Sequence, residues 1–186
     1  IVSTDDNEIK EISIKYGADV PFLRPKNLST DKSSSSSAIK HAVAFAEAQD
    51  KIKYDFVIEI MCTNPLKKVE DIDACIQKLI ETKADSVIAV HRLEDHHPIR
   101  IKKIVNDRIT DFCLTEKLET RRQDLKPDAF IRSGSIYALK RDEIVKHGRR
   151  YGTKNSRPYI LSPNRAVNVD TYNDFLLAEI LLKENH

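Results

Sequence analysis

The chain has 186 residues, 40% hydrophobic and 32% charged, enough apolar content for one substantial core and too much for a disordered segment. Its 31 basic and 29 acidic residues are interspersed and leave a formal net charge of +2, which argues against a nucleic-acid or membrane-surface protein and makes any anion site local. The apolar runs 56–61 and 175–182 are far shorter than a bilayer span, and the three cysteines lack C-x-x-C spacing, which points to a reducing, cytoplasmic setting.

Ile1 to Thr4 reads as the end of a strand entering a helix cap, so residues upstream are expected. After Thr4-Asp5-Asp6, the residues Ile9, Ile12 and Tyr16 recur at helical spacing, and Gly17 stands where a helix ends in the left-handed region. Residues 18–23 are expected to be extended, because Pro21 biases Val20 away from helix. The serines at 33–37 read as a loop and helix start leading into an alanine-rich helix over 38–48. A buried-type strand follows at 56–61, then a Thr-Asn-Pro turn and a helix with an apolar face of Val69, Ile72, Ile76 and Leu79. The next strand is expected at 85–90.

This alternation predicts an α/β domain over residues 1–186, with a mostly parallel sheet covered by helices on both faces. Ligands in such folds sit beyond the carboxyl ends of the strands, which places the loops after Ile60 and Val90 near the site. From 91 to 130 the pattern breaks into an inserted arm, with an exposed hairpin over 100–112 turning at Asn106-Asp107. A strand at 131–139, a short helix at 141–147, a strand at 158–161 and a final helix capped by Asp170 complete the chain.

No G-x-S-x-G, H-E-x-x-H or G-x-x-x-x-G-K-[ST] pattern occurs, and four glycines leave no room for a glycine-rich phosphate loop. Cys62 lacks an obvious paired base and reads as packing. His96-His97-Pro98 lacks a metal-ligand pattern and reads as structural or dimer-related. Asp170, in a strand-to-helix loop, admits two readings: a helix cap, or a hard oxygen ligand for Mg²⁺. Arg121 or Arg122 can clamp a carboxylate bidentately or form a solvated basic turn. Tyr137, on the strand after Gly134, reads from the residues alone as a core aromatic.

Eight strings occur in order: Val2-Ser-Thr-Asp-Asp6, residues 16–25 (YGADVPFLRP), Thr63-Asn-Pro-Leu66, Glu70-Asp-Ile-Asp73, Ala84-Asp-Ser-Val87, Arg121-Arg-Gln-Asp-Leu125, Gly134-Ser-Ile-Tyr137 and Val169-Asp-Thr171. Together they resemble the acylneuraminate cytidylyltransferase family over essentially the whole chain. Thr63-Asn-Pro-Leu66 is similar to that family's T-S-P-L rather than to the G-D-E-P of ketodeoxyoctonate cytidylyltransferases.

The resemblance implies a Rossmann-like, GT-A-like nucleotidyltransferase fold and a homodimer built partly by the 91–130 arm. It implies transfer of CMP from CTP, with Mg²⁺, to the anomeric hydroxyl of a sialic-acid-like nine-carbon acid sugar, releasing pyrophosphate. By resemblance, Asp170 with Asn168 is the metal pair, and Asn168 stands where the family usually has an acidic residue. Arg122, Gln123, Tyr137, Ser133 and Thr63 are the sugar-side residues, with Asp170 and Arg122 carrying the chemistry. Arg24 and Ser35 match positions near the nucleotide.

Ser133 replaces the asparagine of N-G-A-I-Y, and Met61-Cys62 replaces Gln-Pro, departures that lean toward a sugar other than neuraminate. The family's R-x-G-S-K-like triphosphate loop is not in the sequence, so a molecule that truly began at Ile1 is expected to be inactive. Two alternatives stay open: a non-catalytic nucleotide-sugar-binding or dimerisation module of the same fold, and a different sugar nucleotidyltransferase.

Overall fold

Local chemistry sets the first elements of the computed structural model, which describes residues 1–114 and 121–184. Asp6 caps α1 (Asn7–Lys15) by accepting the Ile9 N–H at 2.9 Å, and Gly17 at φ 85° lets the chain leave the helix. Residues 18–23 form neither helix nor strand and are tied to the start of the chain by Val2 N–H to the Asp19 carbonyl and Arg24 N–H to the Thr4 carbonyl. The serine run is a helix start: Ser34 Oγ accepts the Ser37 N–H and caps α2 (Ser35–Asp50).

The remaining elements are β1 (Phe56–Ile60), α3 (Val69–Thr82), β2 (Ser86–Arg92), β3 (Lys102–Val105), β4 (Arg108–Asp111), β5 (Phe130–Lys140), α4 (Arg141–Val145), β6 (Ser156–Ile160) and α5 (Tyr172–Glu184). One four-stranded sheet has the order β1-β5-β2-β6, so consecutive strands are never neighbours and each connection crosses over. The central strands carry the buried runs, Ser86–Ala89 of β2 and Ser135–Leu139 of β5, unalternating stretches typical of strands covered on both faces. On α3 the buried line is Asp71, Cys75 and Leu79, at i, i+4 and i+8, while Val69 is exposed. The apolar face expected from Val69 and Ile72 is thus rotated, because a paired aspartate takes a core position.

β3 and β4 form the hairpin in the expected register, Lys102↔Asp111 through Val105↔Arg108. Asn106 and Asp107 both have positive φ (49° and 60°), as a tight two-residue hairpin turn requires.

The chain divides into two compact units. The first comprises Ile1–Glu59, Ile76–Val87 and Tyr137–Arg157. There Phe22 packs edge-on to His41 and against Phe45, and the Arg141 guanidinium grips Glu47 through Nε (2.8 Å) and Nη2 (2.7 Å), joining α4 to α2. The second comprises Ile60–Cys75, Ile88–Ile136 and Pro158–His186. Its buried members include Leu66, Ala89, Leu125, Ile136, Leu161 and Ala178.

Candidate active site

In the second unit the chain leaves β1 at Ile60 and turns through Met61 to Lys67. Backbone hydrogen bonds pin this turn: Met61 N–H to the Ser135 carbonyl at 3.0 Å and Val169 N–H to the Thr63 carbonyl at 2.7 Å. The buried Asn64 amide donates to the Val167 carbonyl at 2.8 Å. Lys67 folds back so that its ammonium donates to the carbonyls of Met61 (2.6 Å) and Asn64, and burial lowers its pKa.

The turn brings three of the predicted residues together. Thr63 Oγ1 donates to Asn168 Oδ1 at 2.7 Å, and Asn168 Nδ2 donates to Asp170 Oδ2 at 2.6 Å. Gly134 lies beside this contact: its φ of +74° favours glycine, and an added Cβ would stand in ordinary contact, 3.5 Å from Asn168 Oδ1. Asn168 therefore turns its oxygen to Thr63 and its N–H to the carboxylate, so the two do not offer a pair of oxygens to a cation.

Asp170 does not cap α5. Thr171 and Asp174 do: Thr171 Oγ1 accepts the Asp174 N–H at 3.3 Å, and Asp174 Oδ2 accepts the Thr171 N–H at 2.7 Å and its hydroxyl at 2.8 Å. These bonds hold the Asp174 carboxyl below its ordinary pKa, the Thr171 hydroxyl foremost. Asp170 is left with an exposed carboxylate directed by Asn168.

Ser133 is buried, its hydroxyl donating to the Ala89 carbonyl at 3.0 Å and lying 2.7 Å from Ser135 Oγ; it ties β5 to β2 and faces no solvent. Arg122 and Gln123 are exposed on a 3-10 turn, Arg122–Asp124, while Arg121 pairs with Asp124 at 2.8 Å. His97 is buried and structural: Nδ1 accepts the Ile99 N–H, so the proton sits on Nε2, which donates to the Pro127 carbonyl at 2.9 Å.

The other candidates lie in the first unit. Ser35 is exposed at the start of α2, in a cleft of about 350 Å³ lined by residues 34–36 and 148–151. Ser36 Oγ closes its floor by donating to the Gly148 carbonyl at 3.0 Å. Tyr137 is buried beneath Arg150, whose guanidinium stands 4.5 Å from the ring centroid while binding both oxygens of Glu59 (2.6 and 2.7 Å). Arg24 donates to Asp5 Oδ1 and Ser29 Oγ, both at 3.0 Å, bracing residues 1–5 against the following loop.

The profile of the family described as Cytidylyltransferase matches residues 1–160. The chain belongs to the cytidylyltransferase family. The whole chain is 32% identical, over 193 residues and 78% of the relative's length, to "Pseudaminic acid cytidylyltransferase" of Campylobacter jejuni. It is also 26% identical over 202 residues, again its whole length and 78% of the relative, to "CMP-N,N'-diacetyllegionaminic acid synthase" of Legionella pneumophila. With "N-acylneuraminate cytidylyltransferase A" of Danio rerio it shares 26% identity over 178 residues, 96% of this chain and 39% of the relative. A solved structure titled CMP:2-keto-3-deoxy-manno-octonic acid synthetase complexed with CTP superposes with a TM-score of 0.66 at 16% identity, covering all of this chain and 80% of that one.

The fold is therefore the Rossmann-like α/β nucleotidyltransferase fold, and the protein is a nucleotidyltransferase. Sequence reading missed three features of this cytidylyltransferase. The T-x-x-D spacing of Thr171 and Asp174 is a legible capping signature that was available. Lys67 and Arg150 had no signal, because their partners are backbone carbonyls and a carboxylate distant in sequence. Among the described residues no group of three or more His, Cys, Asp or Glu side chains converges as a metal site, and no helix is long and apolar enough to cross a membrane.

Proposed function

We propose that this cytidylyltransferase is a CMP-nonulosonate synthetase acting on a nine-carbon acid sugar, pseudaminate before legionaminate and neuraminate. The observation that carries the reading is the 32% identity, over the entire chain, to an enzyme named for pseudaminic acid. Ser133 supports it: where the neuraminate-like pattern has an asparagine, this chain has a buried hydroxyl engaged within its own sheet, which offers the sugar no amide.

In the reaction the anomeric oxygen bonds to the α-phosphorus of CTP and the bond from that phosphorus to the α–β bridging oxygen breaks. Pyrophosphate leaves with the electron pair, and the hydroxyl proton passes to solvent. The sugar carboxylate needs a cation, and the exposed Arg122, with Gln123 beside it, is the candidate clamp. Arg24 and Ser35 are the nucleotide-side candidates, and Tyr137, buried under Arg150, stays a sugar-side candidate by resemblance alone.

The donor chemistry fits Mg²⁺. That ion is typically held by one or two carboxylates plus substrate phosphates, and Asp170 supplies one exposed carboxylate in a strand-to-helix loop. When bound, the ion would neutralise developing negative charge on the phosphates. In this reading the enzyme works in the cytoplasm as a homodimer, with the β3–β4 hairpin as the contact: Ile104 and Ile109 are directly paired and both highly exposed (77% and 74%). Pyrophosphate release from CTP and Mg²⁺, assayed with pseudaminate, legionaminate and neuraminate separately, tests the assignment. Equal or absent stimulation by all three sugars contradicts it.

A further inference from the structure

We propose that Thr63 and Asn168 are positioning residues for Asp170, a hydroxyl–amide–carboxylate relay that fixes one carboxylate oxygen and leaves the other as an anionic contact to a divalent cation. The proposal rests on the reading that Asp170 holds Mg²⁺.

The direction of the relay follows from hydrogen-bond chemistry. An ionised carboxylate can only accept, so the Asn168 atom 2.6 Å from Asp170 Oδ2 must be the amide nitrogen. The amide oxygen is then left to Thr63, whose hydroxyl must donate at 2.7 Å. Turning the amide over would set two acceptors, the amide oxygen and the carboxylate, against each other at the Asp170 end.

Each member is held by something else. Thr63 is clamped by Val169 N–H on its carbonyl and sits in a turn stapled by Lys67. Asn168 lies against Gly134, where an added Cβ would be in van der Waals contact with its oxygen. The Asp170 backbone N–H donates to Asp174 Oδ2 at 3.2 Å, so the capping residue of α5 sets the main chain beneath the carboxylate. Asp170 Oδ1 has no protein partner among the described residues.

With an N–H aimed at Oδ2, a cation is directed to Oδ1. Asn168 thus serves as an orienting donor of the kind that commonly surrounds metal ligands, and not as a second ligand.

The alternative, that Asn168 itself ligates through Oδ1, makes the opposite prediction for one substitution. Thr63→Val removes the donor from Asn168 Oδ1. If that oxygen is a ligand, freeing it tightens metal binding; if the relay positions Asp170, losing it weakens metal binding.

The test is Mn²⁺ titrated into protein with CTP and followed by electron paramagnetic resonance. The proteins are wild type, Thr63→Val, Thr63→Ser, Asn168→Ala, Thr63→Val/Asn168→Ala and Asp170→Ala, with the steady-state dependence on Mg²⁺ measured in parallel. Asp170→Ala is expected to lose the site. Thr63→Val is expected to raise the Mn²⁺ Kd and the KM for Mg²⁺ by about 10-fold or more. Thr63→Ser should restore both values, and the double variant should be no worse than Asn168→Ala alone, since both break one relay.

Unchanged or tighter Mn²⁺ binding in Thr63→Val, or additive losses in the double variant, overturns the relay while leaving Asp170 as a ligand. Unchanged Mn²⁺ binding in Asp170→Ala overturns the reading beneath it. Should Thr63→Val not fold, Asn168→Ala reads the relay from the other end, and wild-type affinity there overturns it.

Discussion

Asp71 shows how a single residue can carry both a packing and an electrostatic role. It is buried on α3, and its carboxylate accepts the Lys68 N–H at 2.8 Å and the Tyr159 hydroxyl at 3.0 Å while pairing with Arg165. Burial pushes its carboxyl up, but these donors outweigh that effect and hold its pKa below the ordinary value. A carboxyl depressed on folding stabilises the protein above its unfolded pKa, near 3.9, and the contribution is lost as pH falls through the lower folded value. Asp71→Asn is therefore expected to cost roughly 3 kcal/mol at pH 7, by leaving Arg165 without its partner, and to flatten the acid side of the stability profile. Urea unfolding at pH 7 and at intervals below pH 5 checks both; equal stability of variant and wild type at pH 7 contradicts the account. Sequence periodicity could not reveal this residue's role, because a charged side chain at a core position departs from the apolar pattern that marks a helix face. The same limit applies to Ser133, a residue type that is ordinarily exposed, whose burial depends on the neighbouring strand.

At the scale of elements the sequence was most informative where local chemistry decides. Asp6, Gly17 and the Asn106-Asp107 turn stand as the residue types require, and the strands at 56–60, 86–92 and 156–160 fall within a few residues of their apolar runs. α5 starts one residue later than a cap at Asp170 implies, because its cap is shared between Thr171 and Asp174. Thr171→Ala is expected to lower stability by about 1 kcal/mol in thermal unfolding, and an unchanged melting profile would remove the cap from the account. It should also weaken the hold on the main chain at 170, since Asp174 joins the two. The β3–β4 hairpin carries the proposed homodimer. Ile104→Asp with Ile109→Lys is expected to convert a dimer to a monomer by light scattering while far-ultraviolet circular dichroism is kept; a wild-type monomer would contradict the proposal.

For the whole molecule, the order of eight weak strings was legible as a family, and the match of the family profile to residues 1–160 bears this out. What the strings could not give was the state of each side chain: Asn168 reads as a substitute ligand in sequence and stands as a donor to Asp170 in the fold. Nor does position in the chain distinguish Tyr137 as a ligand contact from Tyr137 as a ring packed under Arg150. The central claim concerns chemistry, so its most direct test is pyrophosphate release by the complete gene product from CTP and Mg²⁺, with each of the three nonulosonates in turn. The account predicts release that depends on the sugar and is fastest with pseudaminate. Release with no dependence on any nonulosonate, or none with all three, would contradict it.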